Sequence, residues 1–349
     1  MGAALTIRIA FALSMIATAC LHALPQTAAS DSSIPTFTAS SDLVLVDVIP
    51  EYTKTELRSR SITLATDLKR EEFRIFDNDK EMPISSFDVG SEHTTRPVAL
   101  WLIVQCPQGF PKGWASDFLR GRTQLLKGAL GHLEAQDAVG VAHWCDNGAA
   151  AIDLLPGNDP DAALATLDQL LRRKPVDGES RTGELAMQKL VRSLVDNVHQ
   201  TKPERLPILL FLYGDHCATY PNEAEKIIQA VLESSGIVFG MSDGSWLINP
   251  RSNYNFYGQI NYLVHHYSQE TGGQFYTTTD PKLFSAALDY IVSQVHLRYT
   301  LGFKPRMIDG KRHTIRVELT KEAQQRFQGI QLRFRQEYIP IRAKFGAIE

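Results

Sequence analysis

The sequence predicts an α/β fold in which a mostly parallel sheet, packed against helices, is inserted into a small all-β domain formed by the two ends of the chain. Strands that are buried on both faces read as continuous apolar segments. Three such runs occur, at residues 98–104, 138–144 and 207–213, with His143 as a polar residue within the second. Helical patterns separate them, as in α/β units. Before Pro97 and after residue 298 the pattern changes to the polar–apolar alternation of half-buried strands.

The β segments at the two ends are predicted from this alternation and from turn residues. Before the α/β unit we predict a strand at 43–49, and a hairpin that joins 73–76 to 84–87 around the turn residues 77–80. After the unit we predict strands at 299–303, 312–319 and 331–338. The two segments together are expected to form one β domain, because chain termini often lie close together and tolerate insertion between them.

Within the α/β unit, helices and strands are expected to alternate. Besides the three apolar runs, the predicted strands are 150–155, 237–241 and 274–278. One helix is expected to begin after Asn158 or Asp159, with Pro160 in its first turn. The other predicted helices cover about 115–134, 183–199, 223–235, 259–270 and 281–295.

Composition sets broad limits on function. The hydrophobic fraction of 44% and the charged fraction of 21% are typical of a globular protein, and the net charge of −3 gives no reason to expect nucleic-acid binding. The predicted organisation is a signal peptide at 1–23, a flexible leader at 24–40, β-domain parts at 41–95 and 296–340, the α/β domain at 96–295, and a tail at 341–349.

The N-terminus has the features of an export signal. Arg8 precedes an apolar stretch of residues 9–19, which is too short to span a bilayer. Ala17-Thr-Ala-Cys20 resembles a bacterial lipobox, which would make Cys20 a lipid anchor and the only membrane attachment. Cleavage near Ala23 or Ala29 would instead release the protein. We therefore expect an exported protein in the periplasm, at the outer membrane or outside the cell.

Several motifs, in this order and spacing, resemble the von Willebrand factor A-type (vWA) domain, and more narrowly the vWFA-related proteins of Acidobacteria. They are Leu43-Val-Leu-Val-Asp-Val, Phe73-x-Ile-x-Asp77-Asn with Pro83-Ile, Glu270-Thr-Gly-Gly-Gln-Phe-Tyr276, and Gln294-Val-His-Leu-Arg-Tyr-Thr-Leu-Gly-Phe303. The resemblance covers about residues 36–340. It implies a Rossmann-like sheet with helices on both faces, and a protein that acts through contact with other proteins.

The residues at the metal site of this family have changed in this chain. A vWA domain holds Mg²⁺ or Mn²⁺ with Asp-x-Ser-x-Ser after the first strand, a Thr from a later loop and an Asp after the fourth strand. By the resemblance, the first three positions are Gln105, Pro107 and Gly109, and the last two are Thr182 and Asp215. Hard cations require oxygen ligands, and most of these are missing. We therefore expect no metal of the usual kind and no other cofactor.

Three cysteines each follow a predicted strand of the α/β unit. In the vWA strand order the strand before Cys106 lies between those that precede Cys145 and Cys217, and adjacent strands are close enough for a disulfide. A disulfide from Cys106 to Cys217 or to Cys145 is one interpretation, and three buried thiols are the other. A Zn²⁺ site that uses His143, Asp215, His216 and Cys217 lacks the close ligand spacing of such sites.

Two further features bear on function. Gly240-Met-Ser242-Asp-Gly244 fits the hydrolase pattern Gly-x-Ser-x-Gly, but loop residues follow it where the nucleophile elbow leads into a helix. The loop at 243–258 carries Trp246, Arg251, Tyr254, Phe256 and Tyr257, residue types that are frequent at interfaces.

We therefore predict an exported, non-enzymatic vWA-type interaction or adhesion module that acts without metal and binds a protein partner through this loop. The alternatives are a structural or assembly role of the β domain, with the α/β unit as a spacer, and a serine hydrolase that uses Ser242 between Gly240 and Gly244.

Overall fold

The fold is seen in a computed structural model of the chain, and the residues it describes belong to one compact unit within 40–349. The structure describes residues 43–52, 67–90, 96–106, 119, 121–145, 147–174, 180–202, 204–213, 221–242, 257–278 and 280–340. In this part of the chain, no helix is both long enough and apolar enough to cross a membrane.

A six-stranded sheet forms the centre of the α/β unit. Its strands are β5 (Val98–Gln105), β6 (Ala138–Trp144), β7 (Ala150–Gly157), β8 (Leu206–Tyr213), β9 (Ile237–Ser242) and β10 (Phe275–Thr277). They lie in the order β10-β9-β8-β5-β6-β7. All neighbours are parallel except the edge strand β7, which is antiparallel to β6. Numbered within the unit, this is the doubly wound order 3-2-1-4-5-6.

Helices cover both faces of this sheet, which confirms the predicted fold class. The helices are α1 (Leu125–Leu130), α2 (Pro160–Leu171), α3 (Ser180–Thr201), α4 (Pro221–Glu233), α5 (Tyr257–Thr271) and α6 (Pro281–His296). Alternate residues of β5 enter two separate cores. Leu100 and Leu102 pack with α1, α2 and α6, whereas Trp101 and Ile103 pack with α3, α4 and α5. A strand buried on both faces is therefore apolar throughout.

The two ends of the chain form two four-stranded sheets around a third core. One has the order β13-β1-β11-β4, and the other has the order β14-β12-β2-β3. The strands are β1 (Val44–Tyr52), β2 (Phe73–Asp77), β3 (Lys80–Met82), β4 (Ser86–Val89), β11 (Tyr299–Phe303), β12 (His313–Leu319), β13 (Ile330–Phe334) and β14 (Glu337–Tyr338), with a short helix α7 (Lys321–Arg326) after β12. Strands from before and after the α/β unit thus share each sheet, and the exact domain boundaries stay a prediction.

The predicted pairing of residues 73–76 with 84–87 is wrong. The hairpin is tighter, because β2 turns at Asn78 and Asp79, both at positive φ, and pairs with β3. Strand β4 instead pairs with β11 in the other sheet. The segment between β3 and β4 therefore carries the chain from one sheet to the other.

The predicted long helix at 115–134 is also wrong in its extent. Leu119 is helical, Gly121 has φ +72°, a conformation that interrupts a right-handed helix, and helix resumes over Leu125–Leu130 and ends before residue 134. Residues 107–118 lie outside the described part. The predicted cap of α2 is confirmed, since the carboxylate of Asp159 accepts a hydrogen bond from the amide of Ala162 at 3.0 Å.

A buried polar cluster joins the sheet that contains β1 and β11 to the segments just before and just after the α/β unit. Arg298, which follows α6, donates from Nε to Asp47 Oδ1 of β1 at 3.0 Å, and its Nη2 donates to the carbonyl of Arg96, just before β5, at 3.3 Å. Thr300 Oγ1 also donates to Asp47, at 2.7 Å. Burial alone would raise the pKa of Asp47, but the Arg298 charge, the Thr300 hydroxyl and more distant arginines lower it below its usual value.

Candidate functional site at the carboxyl edge of the central sheet

The candidate site lies where β5 ends. Ligands of open α/β sheets bind at the carboxyl ends of strands, at the point where the strand order reverses. Here that point is between β5 and β8, the neighbours at which the chain crosses to the other half of the sheet. Gln105, the last residue of β5, pairs with Trp144 of β6 and is 5% exposed. A neutral amide side chain therefore occupies the central position of this edge.

A disulfide between Cys106 and Cys145 closes the edge beside Gln105. The two Cα atoms are 4.9 Å apart, within the usual range for disulfides. The backbone holds both residues in place, since the amide of Cys106 donates to the Trp144 carbonyl at 2.8 Å and the amide of Cys145 donates to the Ala149 carbonyl at 2.7 Å. Of the two partners considered for Cys106, the structure therefore pairs it with Cys145.

A histidine–carboxylate pair lies beside the disulfide. Nδ1 of His143, on β6, is 2.6 Å from Oδ2 of Asp153, on the neighbouring strand β7. Both side chains are about nine-tenths buried. The pairing register shifts here, since Val141 faces Leu154 while Ala142 faces Ile152, which leaves Asp153 as the additional residue of a β-bulge. Bulges redirect side chains in this way.

Asp153 is a residue of this site that the sequence patterns do not predict. The one available signal was a charged residue within an otherwise apolar predicted strand, residues 150–155. Which partner this carboxylate would meet depends on the bulge, and a bulge has no reliable mark in the sequence. Arg173, after α2, also approaches Asp153, with Nη2 3.5 Å from Oδ1.

Many of the predicted site residues lie outside the described part of the chain. These are Cys20, Pro107, Gly109, Asp215, His216, Cys217, Gly244, Trp246, Arg251, Tyr254 and Phe256. Only the backbone is described for Thr182, in the first turn of α3, for Ser242, the last residue of β9, and for Tyr257, the first residue of α5. The interface loop therefore begins after β9, at the same carboxyl edge of the sheet as Gln105.

The arrangement gives Ser242 no histidine from α6. Ser242 ends β9 at the carboxyl edge of the sheet, whereas His296 ends α6 with Nε2 2.8 Å from Oδ2 of Asp137, the residue before β6. Asp137 and His296 therefore lie at the amino edge of the sheet. The two edges are about 20 Å apart, the length of six or seven strand residues. Burial would raise the pKa of Asp137, but hydrogen bonds from His296 and from the Val98 and Glu134 amides lower it. His296 thus has a structural partner.

No protein-family model matches the sequence, and no curated protein matches it. Solved structures with a similar course of the chain include a von Willebrand factor type A protein from Catenulispora acidiphila, with 10% identity, a TM-score of 0.40, and coverage of 76% of this chain and 75% of that one. They also include the PilB minor pilin from Streptococcus sanguinis, with 12% identity and a TM-score of 0.39 over 59% of this chain and 63% of the pilin.

A third similar structure is the pilus adhesin SpaC from Lactobacillus rhamnosus GG, with 10% identity and a TM-score of 0.43 over 69% of this chain and 36% of the adhesin. This chain therefore spans less than two thirds of the length of the minor pilin and of the adhesin. Likenesses at this level carry no argument about activity, and membership of the vWA family stays a prediction. The functional proposal rests on the chain's own residues.

Proposed function

We propose that the protein is an exported vWA-type module that binds a protein partner at the carboxyl edge of its central sheet, without a bridging Mg²⁺ or Mn²⁺ ion and without catalysis. One observation carries the proposal. At the position where the strand order reverses, the chain presents a buried neutral amide, Gln105, next to the Cys106–Cys145 disulfide. The disulfide offers no oxygen and Gln105 offers one neutral carbonyl oxygen, whereas a hard cation requires several oxygen ligands and prefers carboxylates.

The edge nevertheless remains a suitable place for a contact surface. The segments that follow β5, β8 and β9 all leave the sheet on this side. The segment after β9 contains Trp246, Arg251 and Tyr254, residue types that dominate the binding energy of many interfaces. The disulfide and the backbone hydrogen bonds of Cys106 and Cys145 hold the ends of β5 and β6, and the segment after β5 starts there.

The hydrolase alternative has less support. A serine nucleophile needs a base within hydrogen-bond reach, and His296 lies at the opposite edge of the sheet from Ser242. Export, by contrast, is proposed from the N-terminal sequence alone, with lipidation of Cys20 and release after cleavage as the two outcomes.

Thermal unfolding in the presence of Mg²⁺ tests the absence of a hard-cation site. We expect the melting temperature of the oxidised full-length chain to be the same with excess Mg²⁺, with excess Mn²⁺ and with EDTA. A cation at 100 times its dissociation constant would stabilise the native state by about 2.7 kcal/mol. A saturable rise in melting temperature with either ion would contradict the proposal.

Affinity capture from the producing organism tests the partner surface. Recovery of a partner should be unaffected by EDTA and should fall when Trp246 and Tyr254 are both replaced by Ala. The matched control is Met307→Ala, because Met307 is an apolar side chain that is 59% exposed on a segment after β11. Recovery that disappears on chelation, or that is equal for the loop variant and the control, would overturn the proposal.

A further inference from the structure

We propose that reduction of the Cys106–Cys145 disulfide creates a binding site for a soft divalent cation, with Zn²⁺ as the representative ion, in which both thiolates and His143 are ligands. The three side chains meet at the ends of β5 and β6. Their candidate ligand atoms all lie within 4.8 Å of one another. This inference concerns sulfur and nitrogen ligands and is independent of the oxygen-ligand site that the proposed function excludes.

The distances fit a tetrahedral site after a small movement. With Zn–S bonds of about 2.3 Å and Zn–N bonds of about 2.0–2.1 Å, neighbouring ligand atoms in a tetrahedron are roughly 3.5–3.8 Å apart. Once the sulfur–sulfur bond is broken, rotation about the Cα–Cβ bonds can separate the two sulfurs to this distance. The Cα atoms, 4.9 Å apart, can stay where the strand hydrogen bonds hold them.

His143 has the hydrogen-bond partner that zinc-binding histidines commonly have. Its Nδ1 contacts the Asp153 carboxylate at 2.6 Å, and because a carboxylate only accepts hydrogen bonds, Nδ1 carries the proton. The unshared electron pair is then on Nε2. Histidine ligands of zinc commonly donate their other ring N–H to a carboxylate, which fixes the tautomer and raises the basicity of the ligand. The β-bulge that presents Asp153 thus has a chemical use.

The burial of all three side chains also favours a cation site in the reduced protein. Cys106 is 7% exposed, His143 is 8% exposed and Cys145 is 4% exposed. A pocket with little water strengthens the attraction between a cation and two thiolates. The described residues supply three ligands, and a water molecule in the fourth position would complete a tetrahedral site.

The disulfide and the metal exclude each other, and each step balances. A thiol reductant gives two electrons and two protons to the disulfide, forms its own disulfide and leaves the thiols of Cys106 and Cys145. Zn²⁺ then displaces both thiol protons, so that binding releases two protons and weakens as the pH falls. The same two sulfurs therefore form a covalent link under oxidising conditions and a cation site under reducing conditions.

Metal titration of the full-length chain in its two redox states tests the proposal. After reduction with a phosphine and removal of the reductant, the protein should bind one Zn²⁺ at this site with an apparent dissociation constant of about 1 µM or lower. Co²⁺ in place of Zn²⁺ should give a sulfur-to-cobalt charge-transfer band. The oxidised protein, which has the same sequence, should give neither signal.

Variants separate this site from other thiols and histidines. Cys106→Ser with Cys145→Ser should abolish the cobalt band, and Asp153→Asn should weaken Zn²⁺ binding by about 10–100-fold. The control is His132→Ala, because His132 is exposed and lies outside the cluster; it should bind as the wild type does. The proposal is overturned if the reduced wild type gives no cobalt–sulfur band, or if the double serine variant keeps the band.

Discussion

Replacement of Asp47 by Asn tests the contact between β1 and the end of the α/β unit. Asn keeps the shape and an acceptor oxygen for Arg298 and Thr300 but removes the negative charge. The side chain of Arg298 is 2% exposed and that of Asp47 is 13% exposed, with 3.0 Å between Nε and Oδ1. Removing one partner of a buried ion pair costs about 3–5 kcal/mol, because the remaining charge stays in a poorly solvated place. We expect a loss near 3 kcal/mol, since the hydrogen bonds survive.

An exposed pair in the same β region provides the matched control. Arg74 and Glu81 form an ion pair at 2.6 Å, but their side chains are 43% and 51% exposed. Glu81→Gln should therefore leave the free energy of unfolding almost unchanged. The assay is urea unfolding of the oxidised protein, monitored by circular dichroism. The dependence of the free energy of unfolding on urea concentration is compared between variants. If the two variants lose equal stability, the reasoning from burial is refuted.

The pH dependence of the Asp47 variant follows from the lowered pKa. Because the pKa of Asp47 is lower in the folded protein than in the unfolded chain, its charge stabilises the fold at pH values above the unfolded pKa of about 3.9. That contribution is lost as the pH falls through the folded pKa. The stability difference between the wild type and Asp47→Asn should thus be constant near neutrality and should shrink on acidification below about pH 4.

Two further predictions concern the central sheet. Reduction of the Cys106–Cys145 disulfide in the presence of EDTA should lower the free energy of unfolding by about 4 kcal/mol in the chain-entropy model, because the bond closes a loop with a sequence separation of 39. Complete reduction is first established by counting free thiols. If the urea midpoint of the reduced protein is then unchanged, this prediction is contradicted. Gly240→Ala should lower the free energy of unfolding by about 1–3 kcal/mol in the same assay, because the new Cβ would lie 2.4 Å from Phe275 and 2.6 Å from Val264. Gly157→Ala is the control. Among the described residues its Cβ would meet no atom closer than 3.9 Å, so this variant should have nearly the stability of the wild type.

The central strands could be predicted from the sequence because their signal is local. β5 and β8 contain the continuous apolar runs 98–104 and 207–213, and β6 is apolar except at His143, so the burial of these strands on both faces can be predicted from their own residues. The pairing of β4 with β11 could not be predicted from a local pattern, because β11 lies more than 200 residues further along the chain. The end of regular helix before α1 depends on the positive φ of Gly121, which apolar periodicity does not reveal.

The candidate site shows the same limit. The predicted strand order and strand ends leave two possible disulfide partners for Cys106, namely Cys145 and Cys217. Which of them pairs with Cys106 depends on the register between neighbouring strands. Gln105 faces Trp144, so the next residue of each strand, Cys106 and Cys145, lies at the same level, whereas Cys217 comes four residues after β8 ends. Asp153 reaches His143 because the register between β6 and β7 shifts at a β-bulge. The local sequence pattern of either strand does not define this shift.

The position of β1 has a mechanical consequence. This strand is antiparallel to both of its neighbours, with five residue pairs to β11 and five to β13. A pull on the chain before Val44, while the molecule is held through the α/β unit at the Tyr299 end of β11, acts along the strand and strains both ladders of hydrogen bonds together in shear. The ladders cannot open one bond at a time, as they would if the strand were peeled sideways. Tension applied in this way would therefore load β1 before it reached the edge at Gln105.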